Sequence, residues 1–270
     1  MIKIFFRYFY SINSLSGKQI VYRIFKTPRR YISFIKVHLN NKSNLLVKKN
    51  EINKELRFII KKSSYLGNNI FKFLNFKQKI NVNIFPKLNF NDKLWIYNLN
   101  YFDYLNSEHN YKNKYQFIKL INKWIDNNEY LDIENDPYPT SLRIINWIKW
   151  SLQNNYYEKK FLKSLYIQLL YLNENIEYDL LGNHLFTNAK ALFIGSLFLK
   201  SKKTNQILKK SLLILNSEIS EQINEDGSHC ELSPMYHSLI LEDLLDILNF
   251  MSIYNFKNNK NRNKIISIIK

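Results

Sequence analysis

Between Asn224 and Asp246 the chain reads NEDGSHCELSPMYHSLILEDLLD, which places His229, Cys230, Glu231, Tyr236 and His237 between a turn signal, Asp226-Gly227, and a helix opening at Ser233-Pro234. Ser is a favoured N-cap and Pro a favoured first helical residue, so Tyr236 and His237 belong to a first turn. Unpaired backbone N–H groups and the positive end of the helix dipole point outward there. A second polar pair, Asn183-His184, follows Gly182 at the start of another helical stretch, and Arg143 stands one turn into a third. No Ser or Cys nucleophile has an obvious base, no carboxylate pair has glycosidase spacing, and no phosphate loop is present. Amide, imidazole, phenol and guanidinium suit proton abstraction next to a carboxylate. Asn and His hydrogen-bond and partly neutralise a uronate, which acidifies the neighbouring C–H, and a Tyr near cations serves as acid or base. The expected reaction is β-elimination in a uronic-acid-containing polysaccharide. The bland alternative is a set of helix caps with ordinary turn polarity. His229, Cys230, Glu231 and His237 match no zinc spacing, so neither a metal nor a cofactor is expected.

Helical periodicity positions these groups. Apolar residues recur at spacings of three and four over 115–128, 139–155, 159–177, 184–200, 204–222 and 233–254. In the last of these, Leu241, Leu244, Leu245, Leu248 and Met251 are expected to face in, and Glu242, Asp243, Asp246 and Asn249 to face out. Short links make successive helices antiparallel, so the helices starting near 139, 184 and 233 run the same way and gather their N-terminal loops at one mouth. The fold expected is all-α. Residues 94–106, LWIYNLNYFDYLN, form an aromatic patch that either fills a core or, through Tyr101, lines a groove for a sugar ring.

Five Gly and five Pro among 270 residues argue against a turn-rich β-sandwich, and a 46% hydrophobic fraction argues against disorder. The formal charge of +18 is concentrated: residues 1–90 hold 19 Lys+Arg against 2 Asp+Glu, whereas 91–270 hold 21 against 20. Residues 1–90 therefore read as a basic N-terminal extension with helical pieces near 17–38 and 51–64, and 91–270 as the chemistry-bearing domain. No RNP, zinc-finger or P-loop pattern supports nucleic-acid binding. Arg7, Lys18 and Arg23 interrupt the apolar N-terminus, so no signal peptide or integral membrane segment is expected. The expected location is cytoplasmic, with a peripheral membrane contact through the basic N-terminus as a further expectation. With one cysteine, no intrachain disulfide forms.

The strings LWIYNLNYFDYLN, DPYPTSLRIINWIKW, GNHLFTNAKAL and EDGSHCELSPMYHSLILEDLLD resemble, in order, the signatures of the heparinase II/III family of polysaccharide lyases and lyase-like proteins. The resemblance covers about residues 94–255. It implies an incomplete (α/α) toroid of antiparallel helical hairpins, followed in the family by a β-sandwich domain. It also implies roles: Asn183 and His184 bind and neutralise the substrate carboxylate, and Tyr236 is the catalytic acid, with a second role as base. Arg143 serves substrate binding or toroid structure, and His229, Glu231 and His237 shape the Tyr236 loop and its substrate contacts. The family places a further catalytic histidine on the β-sandwich, and this sequence stops at Lys270 before any strand-rich segment. The expectation is a truncated toroid domain, partnered by an acidic polysaccharide and by a β-sandwich half or a second chain. The alternative function is a catalytically silent acidic-glycan-binding or assembly module.

Overall fold

The computed structural model describes residues 15–39, 46–47, 57–87, 92–108, 110–128, 135–257 and 259–269. Among the described residues ten α-helices dominate: α1 (Gly17–Ile24), α2 (Lys26–Leu39), α3 (Lys93–Tyr101), α4 (Lys114–Asn127), α5 (Pro137–Asn154), α6 (Lys159–Glu174), α7 (Gly182–Phe198), α8 (Lys202–Gln222), α9 (Pro234–Ile253) and α10 (Asn259–Ile269). From α5 on they form the antiparallel hairpins of an incomplete (α/α) toroid, with bounds close to those the apolar spacing predicts. Local chemistry sets several ends. Pro137 and Pro234 occupy first-turn positions, Asn155 closes α5 in the left-handed conformation at φ 51°, and a Ser201–Thr204 capping box opens α8.

Short strands accompany the helices. β1 (Leu46–Val47) pairs antiparallel with β4 (Leu199–Lys200), and β2 (Ile70–Phe73) with β3 (Phe76–Lys79). In the β2–β3 hairpin both turn residues, Leu74 and Asn75, have positive φ, 51° and 65°, the geometry that matches strand twist in a two-residue loop. Phe71 and Phe73 of β2 turn inward: Phe71 meets Tyr104 edge-on at 4.9 Å and Phe73 meets Trp95 at 5.2 Å. The core therefore continues across residue 90, and the basic third of the chain shares it. In the expected helical piece near 51–64, residues 51–56 lie outside the described residues and 57–64 are irregular rather than helical. That segment is held from outside, since the Arg57 carbonyl accepts from Asn249 and the Lys61 carbonyl accepts from the Glu108 N–H at 3.0 Å.

All four tryptophans, Trp95, Trp124, Trp147 and Trp150, are fully buried. Most of the 94–106 patch is likewise core, with Trp95, Phe102 and Tyr104 inaccessible. Arg143 lies among them, which corrects the substrate-binding half of its expectation and fits the other half, a role in toroid structure. Its guanidinium is fully buried 4.0 Å over the Trp124 ring, and donates to Gln168 Oε1 (2.7 Å), Thr140 Oγ1 (3.1 Å) and Asn135 Oδ1 (3.2 Å). These bonds tie α5 to α6 and to the loop before α5, and none reaches the cleft described below. Arg143→Lys keeps the charge but not the planar fork and leaves buried acceptors unmatched, so it should lower stability by about 2–4 kcal/mol in urea unfolding. A substrate contact would instead show as a raised KM at unchanged stability.

Candidate functional site

The N-terminal ends of α5, α7 and α9 meet at one open cleft of about 220 Å³. Tyr138 enters it from the start of α5, Asn183 from the start of α7 and Tyr236 from the first turn of α9, with His229 from the loop before α9 and Tyr101 from the end of α3. The mouth expected from helix direction is thus formed. Both loops leading into α7 and α9 end on a leucine in the left-handed region, Leu181 (φ 62°, ψ −159°) and Leu232 (φ 51°). A non-glycine residue there costs on the order of 1–3 kcal/mol, and such strain concentrates where a loop must aim particular side chains. Gly182, itself at φ 54°, continues the turn that delivers Asn183.

Around the mouth, the His229 ring stacks on Tyr236 with centroids 5.8 Å apart and planes at 26°. His229 Nδ1 accepts the Glu231 backbone N–H at 3.2 Å, so the neutral ring carries its proton on Nε2. Tyr101 meets Tyr138 edge-on at 5.9 Å, and Tyr138 packs on the His184 ring at 4.5 Å. Burial, then the nearby carboxylate of Asp243, pushes the Tyr138 phenol up to about 12. It stays protonated as a donor throughout the physiological range. His184 does not line the cleft wall. It stands behind Tyr138 with Nδ1 3.2 Å from Glu177 Oε2, and Glu177 is in turn fixed by Asn188, whose Nδ2 donates at 3.1 Å. Two further expectations are corrected. Glu231 and His237 are exposed and line no part of the cleft, because the turn after His229 directs both to solvent; Glu231 contributes its backbone N–H to His229 instead.

The cleft floor is ionic, which reverses the orientation expected for one face of α9. Asp246 is buried, and its Oδ2 accepts from Lys190 Nζ of α7 at 2.5 Å and Lys149 Nζ of α5 at 2.7 Å. Lys190 also reaches Asp243 Oδ1 at 2.6 Å, and Lys61 pairs with Glu242 Oε1 at 3.0 Å. The inward face of α9 is then Ile240, Leu244, Ile247 and Met251 with Asp246 beside them, while Leu245 is exposed. Burial alone would raise the Asp246 carboxyl, but Lys190 and then Lys149 outweigh it and hold it below the ordinary carboxylate range. For Lys149, burial is the larger influence and lowers the ammonium despite Asp246. Sequence reasoning missed Tyr138, Glu177 and this lysine–aspartate cluster. The signal available was Lys149 and Lys190, two lysines set deep in otherwise apolar helices. Among the described residues, no group of three or more His, Cys, Asp or Glu is arranged to hold a metal ion.

A model of the heparinase II/III N-terminus matches residues 65–265. A heparin-sulfate lyase of Bacteroides stercoris is 33% identical over 82 residues, covering 30% of this chain and 12% of that protein. The corresponding lyase of Pedobacter heparinus is 36% identical over 87 residues, covering 32% of this chain and 13% of that protein. The crystal structure of heparan sulfate lyase HepC from Pedobacter heparinus superposes with a TM-score of 0.52 at 16% identity, over 92% of this chain and 42% of that one. At that identity the superposition shows a shared fold, the helical toroid. The chain spans less than half of the solved lyase, and the matched stretches are about an eighth of the curated ones.

Replacing Asp246 by Asn should cost about 3–5 kcal/mol near neutral pH, because two buried ammoniums lose their shared partner. The wild-type contribution from a depressed carboxyl is full above its unfolded value of about 4 and drains away as pH falls through the lower folded value. Denaturant unfolding across that acid window should therefore show a steeper loss for wild type than for Asp246→Asn. Equal stabilities at neutral pH would contradict the assignment.

Proposed function

The chain belongs to the heparinase II/III family, and on that premise we propose that its cleft is the helical share of a lyase site acting on an acidic polysaccharide by β-elimination. One observation carries this reading: Tyr101, Tyr138, Asn183, His229 and Tyr236, drawn from separate segments, line a single cleft at three helix N-termini. In the proposed reaction a uronate carboxylate lies against Asn183 and the N-terminal amides of α7, with His184 supporting from behind Tyr138. Hydrogen bonding to the carboxylate favours the negative charge that builds when the adjacent carbon loses its proton. Tyr236 takes the proton from the carbon next to the carboxylate and returns it to the glycosidic oxygen as the C–O bond breaks, the electron pair of the lost C–H bond forming the C=C bond of an unsaturated uronate on the new non-reducing end. The stack on His229 fixes the direction of the Tyr236 ring, so its hydroxyl is positioned rather than mobile. Tyr101 and Tyr138 offer apolar faces against which a sugar ring can lie.

A second reading, a glycan-binding module without turnover, is favoured by the ionic floor. Three ammoniums (Lys61, Lys149, Lys190) face four carboxylates (Asp103, Glu242, Asp243, Asp246) and each is paired with one, so the floor offers no surplus cation to neutralise a uronate for proton abstraction. The two readings separate on one substitution. Under the lyase reading, Tyr236→Phe lowers kcat for appearance of the unsaturated uronate by about 10²-fold or more, at similar KM, read by ultraviolet absorbance. Binding of an acidic oligosaccharide by wild type with no unsaturated product, and equal affinity in Tyr236→Phe, would replace it with the second.

A further inference from the structure

The two N-terminal helices carry their apolar face on the wrong side for a domain that ends at its own surface. α1 and α2 follow each other with Phe25 between them, and a Ser16–Gln19 capping box fixes the start of α1. Their inward face is settled by specific contacts. Lys26 pairs with Asp179 at 3.2 Å, Arg30 with Asp136 at 2.8 Å, Ser33 Oγ accepts from Asn175 Nδ2 at 2.7 Å, and Val37 is buried. The outward face is Val21, Ile24, Phe25, Ile32 and Ile35, each more than half exposed. Their spacing of three, four and seven sets them along one stripe running over both helices. Single exposed apolar residues are ordinary, but a continuous stripe on the solvent side of a docked helix marks a contact surface.

The charge around the stripe says what contacts it. Residues 15–39, which form the two helices, contain six Lys+Arg and not one Asp or Glu. Arg23 lies exposed on α1; Lys18 of α1 and Lys36 of α2 are exposed at the stripe's flanks, Lys18 also 3.9 Å over the Tyr178 ring and Lys36 also 3.7 Å from Glu174 Oε2. We propose that the outer face of α1 and α2 is a docking surface for an anionic lipid bilayer, the apolar stripe entering the headgroup boundary while the flanking cations meet lipid phosphates. A second copy of the chain would press two predominantly basic helix pairs together. An acidic polysaccharide or a nucleic acid would satisfy the cations but offer nothing to five aliphatic and aromatic side chains. A bilayer with anionic headgroups supplies both. Among the described residues no helix is long and apolar enough to cross a membrane, so the contact lies in the interface plane.

The test is flotation of the full chain with vesicles of phosphatidylcholine alone and of phosphatidylcholine mixed with phosphatidylglycerol. The chain should float with the mixed vesicles and not with the neutral ones, and added salt should release it. The double substitution Ile24→Asp and Ile32→Asp, at two exposed positions, should cut partitioning at least about tenfold with no change in Tm. Tyr236→Phe should float as wild type does, which separates this surface from the cleft. Failure to float with anionic vesicles would overturn the proposal. So would undiminished flotation of the double variant, which would assign the attraction to charge alone, or a wild-type dimer without lipid that the same variant dissociates, which would give the stripe to a second copy.

Discussion

Three of the helices that open on the cleft are pinned to one carboxylate. Asp246 of α9 is shared by Lys149 of α5 and Lys190 of α7, which stand about two turns (Lys190) or a little over three turns (Lys149, Asp246) in from the first residue of their helices. Helices running the same way and fastened at similar depths must end at similar heights, and the residues at those ends are Tyr138, Asn183 and Tyr236. Burying charge is expensive, and an apolar trio of the same volume would hold the helices as well. An apolar contact, however, permits sliding by a fraction of a turn, whereas two ammoniums on one carboxylate fix the axial register. The cluster buys the alignment of the mouth.

The same cluster constrains how the cleft can recognise an anion. Lys149 and Lys190 are both engaged with carboxylates, so the floor presents nearly balanced charge. On the proposed lyase reading, a uronate carboxylate would find its stabilisation higher up, from the side chain of Asn183 and the backbone amides at the helix N-termini. On that reading, the backbone amides of that set, already oriented by their helices, would have to stabilise the developing charge without help from the floor.

Much of the helical framework was legible because amphipathic spacing survives wherever one face of a helix meets solvent. Convergence of the three N-termini followed from counting antiparallel turns. What was hidden has a common cause. α7 is buried on nearly every side, so its apolar and polar positions show no stripe from which Lys190 could be assigned a direction. On α9 the inward face meets a polar floor, and a rule that turns every Asp outward misplaces Asp246. Arg143 is the converse case: an arginine beside motif residues suggested a substrate contact, but aromatic neighbours and paired amide acceptors draw it fully into the core. The β2–β3 hairpin escaped notice because its turn, Leu74-Asn75, lacks the glycine that usually marks such a loop. Of the site itself, Tyr101, Asn183, His229 and Tyr236 were legible, whereas Tyr138 and Glu177 were not, since neither carries a pattern beyond its own identity.

The N-terminal helices are tied to the cleft through its back. Asp136, which receives Arg30, is the residue immediately before α5, and it also receives the Tyr97 hydroxyl and Lys93 at 3.4 Å. Asp179, which receives Lys26, lies in the turn before α7, two residues from Glu177. Both acidic residues sit near helix N-termini, where a negative charge is favoured by the dipole, and α2 supplies the cations that let them stay partly buried. The basic segment and the toroid are therefore not independent in their electrostatics. Two of its cations hold the loops that deliver Tyr138 and Asn183, Lys36 pairs with Glu174 at 3.7 Å and Lys18 lies over the Tyr178 ring, while Arg23 is exposed on the outer side with the apolar stripe. A basic extension with no structural duty would show no such division. Here the inward cations find carboxylates in the toroid, and the outward face combines positive charge with exposed apolar side chains.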